Sequence, residues 1–515
     1  MLQQQQSKLG LVVAGLLLGI FVAAIDNTIV ATAMATIVSD LGGVEKFVWV
    51  TSAYLVTEMA AMPIFGKLSD MYGRKRFFVL GIFLFLLGSV LCGTAHNIVE
   101  LSIYRAIQGI GGGALVPIAF TIMFDVFPPE KRGGMGGLFG AVFGTSSLFG
   151  PLLGAYLTDH IDWRWIFYIN LPLGIASLAL VYLFYRESTQ HEKQQIDWWG
   201  AATLVGSIVS LMFALELGGQ QYAWDSVQII GLFTAAALLM AVFLYVETKA
   251  KEPIIAYSMF RKRLFAASTV IGLLYGAAFI SFAMYIPIYI QGVTGGTATQ
   301  SGLILLPMTV GSVVAAQIGG MSAARTSYRN IMIFSAVVFV LGTALLGTIT
   351  PDTPRALLTV YMIVAGLGVG FSFSVLGMSA IHHFDYRQRG SANSTMAFLR
   401  SLGMTVGLTV FGIIQRNSLT DQLKESLGGG MPVGEGQMGD VRQLLSPENR
   451  AKMPQDVLDR IVDALSSSIS HMFLWALIPA GLSLVAVFFM GNDRMVVPAR
   501  GGQGKPQTDL SKQGS

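Results

Sequence analysis

The sequence contains little charge and almost no cysteine. Asp, Glu, Lys and Arg make up 12% of the 515 residues, about half the share of a typical soluble domain. This composition excludes an intrinsically disordered chain and argues against an ordinary cytosolic enzyme. The single cysteine, Cys92, excludes a disulfide within the chain and argues against redox chemistry.

The sequence also lacks the residue sets of common catalytic and cofactor sites. His382 and His383 are adjacent, and without further ligands nearby in the sequence they predict no metal centre. The glycines of 109–113 are not followed by the lysine of a phosphate-binding loop. The basic residues form no continuous stripe for nucleic acid. We therefore predict no enzyme activity, no metal, no organic cofactor and no nucleic-acid partner.

Apolar residues are abundant, at 53% of the chain, and they form long runs. Because about 20 apolar residues cross a bilayer as a helix, the runs predict fourteen transmembrane helices. An even number places both termini on one side, and most of the 33 basic residues lie on that side, which predicts cytoplasmic termini. The sequence therefore predicts an all-α polytopic membrane protein, surrounded by lipid and working as a monomer. The expected spans are roughly 11–37, 47–67, 77–95, 99–124, 135–157, 164–185, 198–217, 226–246, 264–290, 300–322, 330–349, 357–380, 391–414 and 470–490.

Two polar segments lie outside these spans. In the long outer loop 415–469, the first half is glycine-rich, whereas the part after Pro454 has the pattern of an amphipathic helix leading into the last span. The tail 491–515 is polar and predicts a disordered cytoplasmic segment.

Small residues recur along the fifth span at spacings of three and four. This spacing predicts one helix face on which another helix packs closely. The face could serve static packing, or it could slide, because Pro151 removes a backbone hydrogen bond there. The residues concerned are Gly133, Gly137, Gly140, Gly144, Ser147, Pro151 and Gly154.

Four charged residues lie well inside the predicted spans: Asp26, Glu58, Arg105 and Arg400. Each costs roughly 2.5–3.5 kcal/mol at the centre of a membrane helix, so each is a functional candidate. Asp26 and Arg105 could form an ion pair, which would leave Asp26 a structural role. Glu58 has no evident partner in its half of the chain, so its neutral form is cheaper to bury, which indicates a proton-carrying group. Arg400 either braces span thirteen against carbonyl groups or holds an anionic part of a substrate.

An aromatic stripe follows one face of the ninth span. Tyr275, Phe279, Phe282 and Tyr289 are spaced by four, three and seven residues. Such a stripe is common on lipid-facing helices, but it could also line a cavity that binds lipophilic cations through cation–π contacts.

Five short motifs occur in order along the chain. They are Ala24–Val30, the loop 66–76 (GKLSDMYGRKR), Arg105 with Gln108 and Gly109, Gly150–Gly154, and Trp163–Pro172. With these motifs the chain resembles the major facilitator superfamily, and within it the fourteen-span drug:proton antiporters. The corresponding loop of the second half, 319–329, lacks the acidic residue of its first-half counterpart.

The resemblance implies two six-helix bundles, 11–185 and 264–490, with two inserted helices, 198–246, between them. The bundles would rock about a central substrate site. The loop residues Gly66, Asp70, Gly73 and Arg74 would act as a conformational latch. Gln317 is the polar residue of span ten, where some relatives carry an acid. The expected substrate site comprises Asp26, Glu58, Tyr275, Phe279, Phe282, Tyr289, Gln317 and Arg400.

The leading functional prediction is an exporter of lipophilic, cationic drugs across a bacterial plasma membrane, driven by protons. Asp26, Glu58 and Arg105 are the expected proton-coupling residues. If both acids released protons in each cycle, exchange for a monovalent cation would move net charge, whereas an Asp26 locked to Arg105 would leave Glu58 to act alone. The alternatives are an exporter or flippase of an amphipathic lipid or endogenous metabolite, and a transporter-like sensor or scaffold. The sequence names no adaptor protein.

Overall fold

Long helices account for nearly all of the structure. The computed structural model describes residues 2–42, 48–128, 132, 134–187, 196–219, 221–296, 298–427, 450 and 453–495. Within these segments the chain forms fourteen long helices and no sheet. They are α1 (Leu2–Leu41), α2 (Val48–Tyr72), α3 (Arg74–Gly93), α4 (Ile98–Val126), α5 (Met135–His160), α6 (Asn170–Phe184), α7 (Trp198–Leu217), α8 (Val227–Lys249), α9 (Arg263–Ile288), α10 (Ala298–Ser322), α11 (Tyr328–Leu346), α12 (Arg355–Ile381), α13 (Arg389–Leu427) and α14 (Gln455–Val487).

Thirteen of these helices are long and apolar enough to cross a membrane. The exception is α2, which carries Glu58, Lys67 and Asp70. The helical membrane fold predicted from the apolar runs is therefore confirmed. The exact number of crossings and the side on which the termini lie stay predictions.

Two helix boundaries differ most from the predicted spans. Helix α13 continues to Leu427, thirteen residues beyond the predicted end, so the first part of the expected outer loop is helical. Helix α14 begins at Gln455, directly after Pro454, and incorporates the amphipathic segment predicted there. Proline suits this position because its fixed φ angle is compatible with a helix start. The glycine-rich part of the loop, 428–449, and the tail 496–515 lie outside the described residues.

Contacts between helices divide the chain into two bundles. In the first, α2 and α3 pack on α4, and α1 packs on α5 and α6. In the second, α10 and α11 pack on α12, and α9 packs on α13 and α14. The inserted pair α7 and α8 pack against each other, and α7 also lies along α2.

Glycines bring α2 and α4 close together at the centre of the first bundle. A Cβ at Gly109 would collide with the backbone carbonyl of Tyr54, and one at Gly113 would collide with the carbonyl of Glu58. Small residues allow such backbone approach between membrane helices. This packing places Glu58 beside the helix that carries Arg105.

The glycine pattern of α5 faces two different helices, which corrects the prediction of a single packing face. Gly137, Gly140 and Gly144 face α10 of the second bundle, where their neighbours are Gln317, Val313 and Thr309. Gly150 and Gly154 instead face Thr28 and Thr32 of α1. Helix α5 thus leaves the second bundle and joins α1 along its length. The predicted face residue Gly133 lies outside the described residues.

Candidate functional site

A buried polar network surrounds Asp26 in the first bundle. Asp26 is fully buried and forms an ion pair with Arg105. Its second carboxylate oxygen accepts hydrogen bonds from the side-chain amides of Gln108, at 2.8 Å, and Asn170, at 2.9 Å. Both amides also donate to Ser89 Oγ, at 2.7 and 3.0 Å respectively. The network therefore joins α1, α3, α4 and α6.

Arg105 is held from several directions. Its guanidinium donates to Gln108 Oε1 at 2.7 Å and to the carbonyl of Val50 at 3.3 Å. The ring of Tyr54 lies 4.2 Å from the guanidinium carbon, which adds a cation–π contact. The structure thus shows the Asp26–Arg105 ion pair that the sequence left open.

Gln108, Asn170 and Ser89 complete this network, and none of them was among the predicted site residues, although Gln108 belongs to the motif of Arg105 and Gly109. Asn170 belongs to the Trp163–Pro172 motif, so its position in that motif was an available signal. Ser89 lies in an apolar stretch of α3, and nothing local distinguishes it from other small residues of membrane helices. Both are fully buried.

Glu58 lies near this network but outside it. Its side chain is partly exposed, and it makes no hydrogen bond or ion pair with the described residues. Arg105 and Asp26 are within electrostatic range of its carboxyl group. Glu58 is therefore a half-buried acid of the first bundle without a hydrogen-bond or ion-pair partner among the described residues.

The predicted aromatic stripe of α9 lies mostly inside the second bundle. Tyr275, Phe282 and Tyr289 are at most 1% exposed. Tyr275 stacks on Phe339 with ring centroids 4.5 Å apart, and its hydroxyl group bonds to Ser335. These three rings therefore pack inside the bundle in this arrangement, and their contact with a substrate stays a prediction. Because a membrane helix is apolar on every face, its pattern did not show which face turns inward.

Phe279 is the stripe residue that remains accessible. It is partly exposed and packs edge-on against Phe373 of α12, with centroids 5.9 Å apart. The guanidinium group of Arg400 lies over the ring of Phe373, 5.1 Å from its centroid, and donates to the carbonyl of Ser372 at 3.3 Å. The carbonyl contact fits the bracing role considered for Arg400, and its partial exposure leaves a ligand role possible.

Gln317 contacts the first bundle rather than an open space. Its side chain lies against Gly137 and Gly134 of α5. It is therefore part of the α5–α10 packing surface in this arrangement, and its assignment to the substrate site stays a prediction.

The predicted latch residues connect the two bundles. Asp70 accepts from the backbone N–H groups of Gly390 at 2.8 Å and Ser391 at 2.7 Å, at the start of α13. A carboxylate is favoured there by the positive end of the helix dipole. Burial raises the pKa of the Asp70 carboxyl group, while Arg74 and the two N–H donors partly offset that effect.

Arg74 extends this contact. It is fully buried, pairs with Asp70 and Asp125, and donates to the carbonyl of Tyr386 in the second bundle. Asp125 also accepts from Arg389 at 2.8 Å. Gly73 has φ +110°, a conformation that favours glycine, and it separates α2 from α3. Gly66 packs against Ser394 and Gly390, where a Cβ would collide with both.

Contacts between the bundles continue from this end of the molecule towards its centre. Asn393 donates to the carbonyl of Pro117 at 2.8 Å, Gly377 packs on Phe120, and Thr405 reaches Met59. The structure therefore represents an arrangement in which the bundles meet at the end that carries 66–76.

The chain belongs to the major facilitator superfamily, a family of membrane transporters. Residues 16–408 match the model of that family. The chain is 54% identical over 499 residues, covering 96% of it and 98% of the relative, to "Multidrug resistance protein 3" of Bacillus subtilis (strain 168). It is 35% identical over 500 residues, 94% of it and 92% of the relative, to "Multidrug transporter protein MdtP" of the same organism.

Solved structures show the same fold at low sequence identity. The human organic anion transporter MFSD10 (TETRAN) superposes with a TM-score of 0.57 at 14% identity, covering 92% of this chain and 99% of that one. The proton:xylose symporter XylE superposes with a TM-score of 0.58 at 13% identity, covering 92% of this chain and 95% of that one. The protein is therefore a transporter and not an enzyme.

Proposed function

We propose that this protein is a multidrug exporter that expels lipophilic cations in exchange for protons across a bacterial cell membrane. The names of the two Bacillus relatives support multidrug export. The observation that carries proton coupling is the contrast between two acids at the centre of the first bundle. Asp26 is held by Arg105, Gln108 and Asn170, whereas the half-buried Glu58 makes no hydrogen bond or ion pair with the described residues.

In this proposal Glu58 carries the proton. The residue is half-buried, and no hydrogen bond or ion pair with the described residues fixes its charge. Arg105 is close enough for its charge to favour the ionised form, while the apolar surroundings favour the neutral form. A bound cation would compete with the proton for the same carboxylate, which couples the two movements.

The accessible aromatic and basic groups of the second bundle would border the same central space. Phe279 and Phe373 offer apolar ring faces for a flat substrate, and Arg400 fixes Phe373 in place. In this proposal the 66–76 end faces the cytoplasm, together with both termini. Contact between the bundles at that end would then close the cytoplasmic side and leave the site open outwards.

The test is transport by the full-length protein in liposomes with an imposed pH gradient. A fluorescent lipophilic cation is placed on the side of the 66–76 loop, and its movement is followed with the gradient in each direction. We expect transport against the cation gradient only when protons flow the opposite way. Transport that ignores the pH gradient would contradict proton coupling, and no transport of any cation tried would contradict the substrate class.

A further inference from the structure

A cluster of potential metal ligands lies at the 66–76 end of the second bundle. One ring nitrogen each of His382 and His383 and one carboxylate oxygen of Asp493 lie within 4.8 Å of one another. The two histidines directly follow the end of α12, and Asp493 belongs to the short segment that follows α14. We propose that these three side chains bind a late first-row divalent cation of the Zn²⁺ class.

The ligand types fit such an ion. Two imidazoles and one carboxylate form a donor set that Zn²⁺ uses in proteins, with metal–nitrogen distances of about 2.0–2.1 Å. His383 Nε2 is 3.5 Å from Asp493 Oδ1, close to the separation of two ligand atoms around one tetrahedral ion. His383 and Asp493 are 42% and 36% exposed, so an ion can reach them and both side chains can adjust.

The surroundings hold the ligands in place. Tyr328 Oη lies 3.3 Å from Nδ1 of His382, an outer hydrogen bond of the kind that orients metal-binding histidines. The backbone N–H of the same tyrosine donates to the carbonyl of Asp493 at 2.9 Å. Tyr328 therefore fixes the two halves of the cluster relative to each other, although 110 residues separate them in the chain.

The neighbouring positive charge is directed away from the ligand atoms. The ammonium group of Lys262 donates to the backbone carbonyl of His383 and lies 4.2 Å from the centre of the Phe384 ring. Lys262 therefore bonds to a backbone carbonyl group and does not form an ion pair with Asp493. That carboxylate remains available to offset the charge of a divalent ion.

The experiment is zinc binding to full-length protein purified without a histidine tag, measured by equilibrium dialysis. We expect one Zn²⁺ per chain, and a loss of affinity of about 10- to 100-fold in His383→Ala and in Asp493→Asn. These two side chains are exposed, so their replacement leaves the fold intact. The matched control replaces His96 and His160 together, which removes two histidines far from the cluster and should not change binding.

Copper provides a second, spectroscopic readout. With Cu²⁺ in place of Zn²⁺, electron paramagnetic resonance should show coupling to two nitrogens, and His383→Ala should reduce it to one. A wild-type protein that binds no zinc would overturn the proposal. So would His383→Ala and Asp493→Asn variants that bind zinc as tightly as the wild type. Neither measurement involves transport, so neither outcome affects the proposed exporter function.

Discussion

The two bundles place their internal charges in different ways. In the first bundle, an acid and a base are paired and surrounded by amide and hydroxyl groups. In the second, Arg400 has no carboxylate partner among the described residues and is held by a carbonyl group and an aromatic ring. The rest of that bundle's centre is largely aromatic, with Tyr275, Phe282 and Phe339 in contact.

This difference shows that a shared helix arrangement does not impose a shared chemistry. A buried ion pair demands further hydrogen bonds from several helices, and the first bundle provides them from four. An arginine whose long side chain reaches a carbonyl group and a partly open space needs fewer partners. The proposed proton-coupling role therefore belongs to the first bundle. Four predictions test this difference between the bundles.

The largest effect is expected from Arg105→Ala. The change leaves the carboxylate of Asp26 buried without its counter-charge, which typically costs 3–5 kcal/mol. Arg400→Ala, the matched change in the second bundle, removes one carbonyl hydrogen bond and should cost about 1.5–3 kcal/mol. Thermal unfolding of both variants in the same detergent measures the contrast. Equal losses of stability in the two variants would contradict the proposed difference between the two bundles.

Glu58→Gln should abolish transport driven by the pH gradient while substrate binding remains. Glutamine resembles the protonated acid in shape but carries no exchangeable charge. The measurements are efflux in liposomes and equilibrium binding of the same fluorescent cation. Glu425→Gln, at an exposed position of α13, is the control. A Glu58→Gln protein that pumps normally at every pH tested would remove Glu58 from the coupling mechanism.

Asp70→Asn should slow turnover with little change in substrate affinity. Asparagine loses the charge that pairs with Arg74 and that favours the N–H groups of Gly390 and Ser391. Charged hydrogen bonds contribute about 1.5–3 kcal/mol each. Losing the charge at one of them should therefore change the equilibrium constant between the two arrangements of the bundles by roughly tenfold or more. The control is Asp463→Asn, on the exposed face of α14. If affinity fell as much as turnover, the 66–76 loop would be a binding element rather than a latch.

The smallest effect concerns the membrane potential. Because Asp26 is fixed to Arg105, we expect Glu58 alone to release a proton in each cycle. One proton exchanged for one monovalent cation moves no net charge, so an imposed potential should leave the rate unchanged. A second proton would add about 2.3 kcal/mol per 100 mV to the driving force. A potential imposed without a pH gradient distinguishes the two stoichiometries, and a clear acceleration would return Asp26 to the coupling mechanism.

Local sequence features predicted the helices and their buried charges well. The apolar runs located the fourteen helices to within a few residues at most ends, because hydropathy depends on composition within a short window. The end of α13 was missed because its last two turns are polar, and polar residues do not reveal whether a helix continues beyond a membrane. Asp26 and Arg105 could be matched because helix rise converts residue number into depth.

The direction in which each side chain points was decided by tertiary structure. In a soluble helix the apolar face marks the core, but here every face is apolar, so the stripe of α9 did not show that Tyr275, Phe282 and Tyr289 turn into the bundle. For the same reason the glycines of α5 gave no sign that they serve two partners.

Residues distant in sequence meet here through helix packing alone. Asn170 reaches Asp26, Ser89 reaches the amides of Gln108 and Asn170, and Asp493 reaches His383. They meet because α6, α3 and the segment after α14 are placed by contacts elsewhere along those elements. The sequence by itself determined a helical membrane protein with two central acids, since apolar length and buried charge are local properties. Only the tertiary structure decided that Asp26 is paired and that Glu58 has no such partner among the described residues, because pairing depends on which helix faces meet.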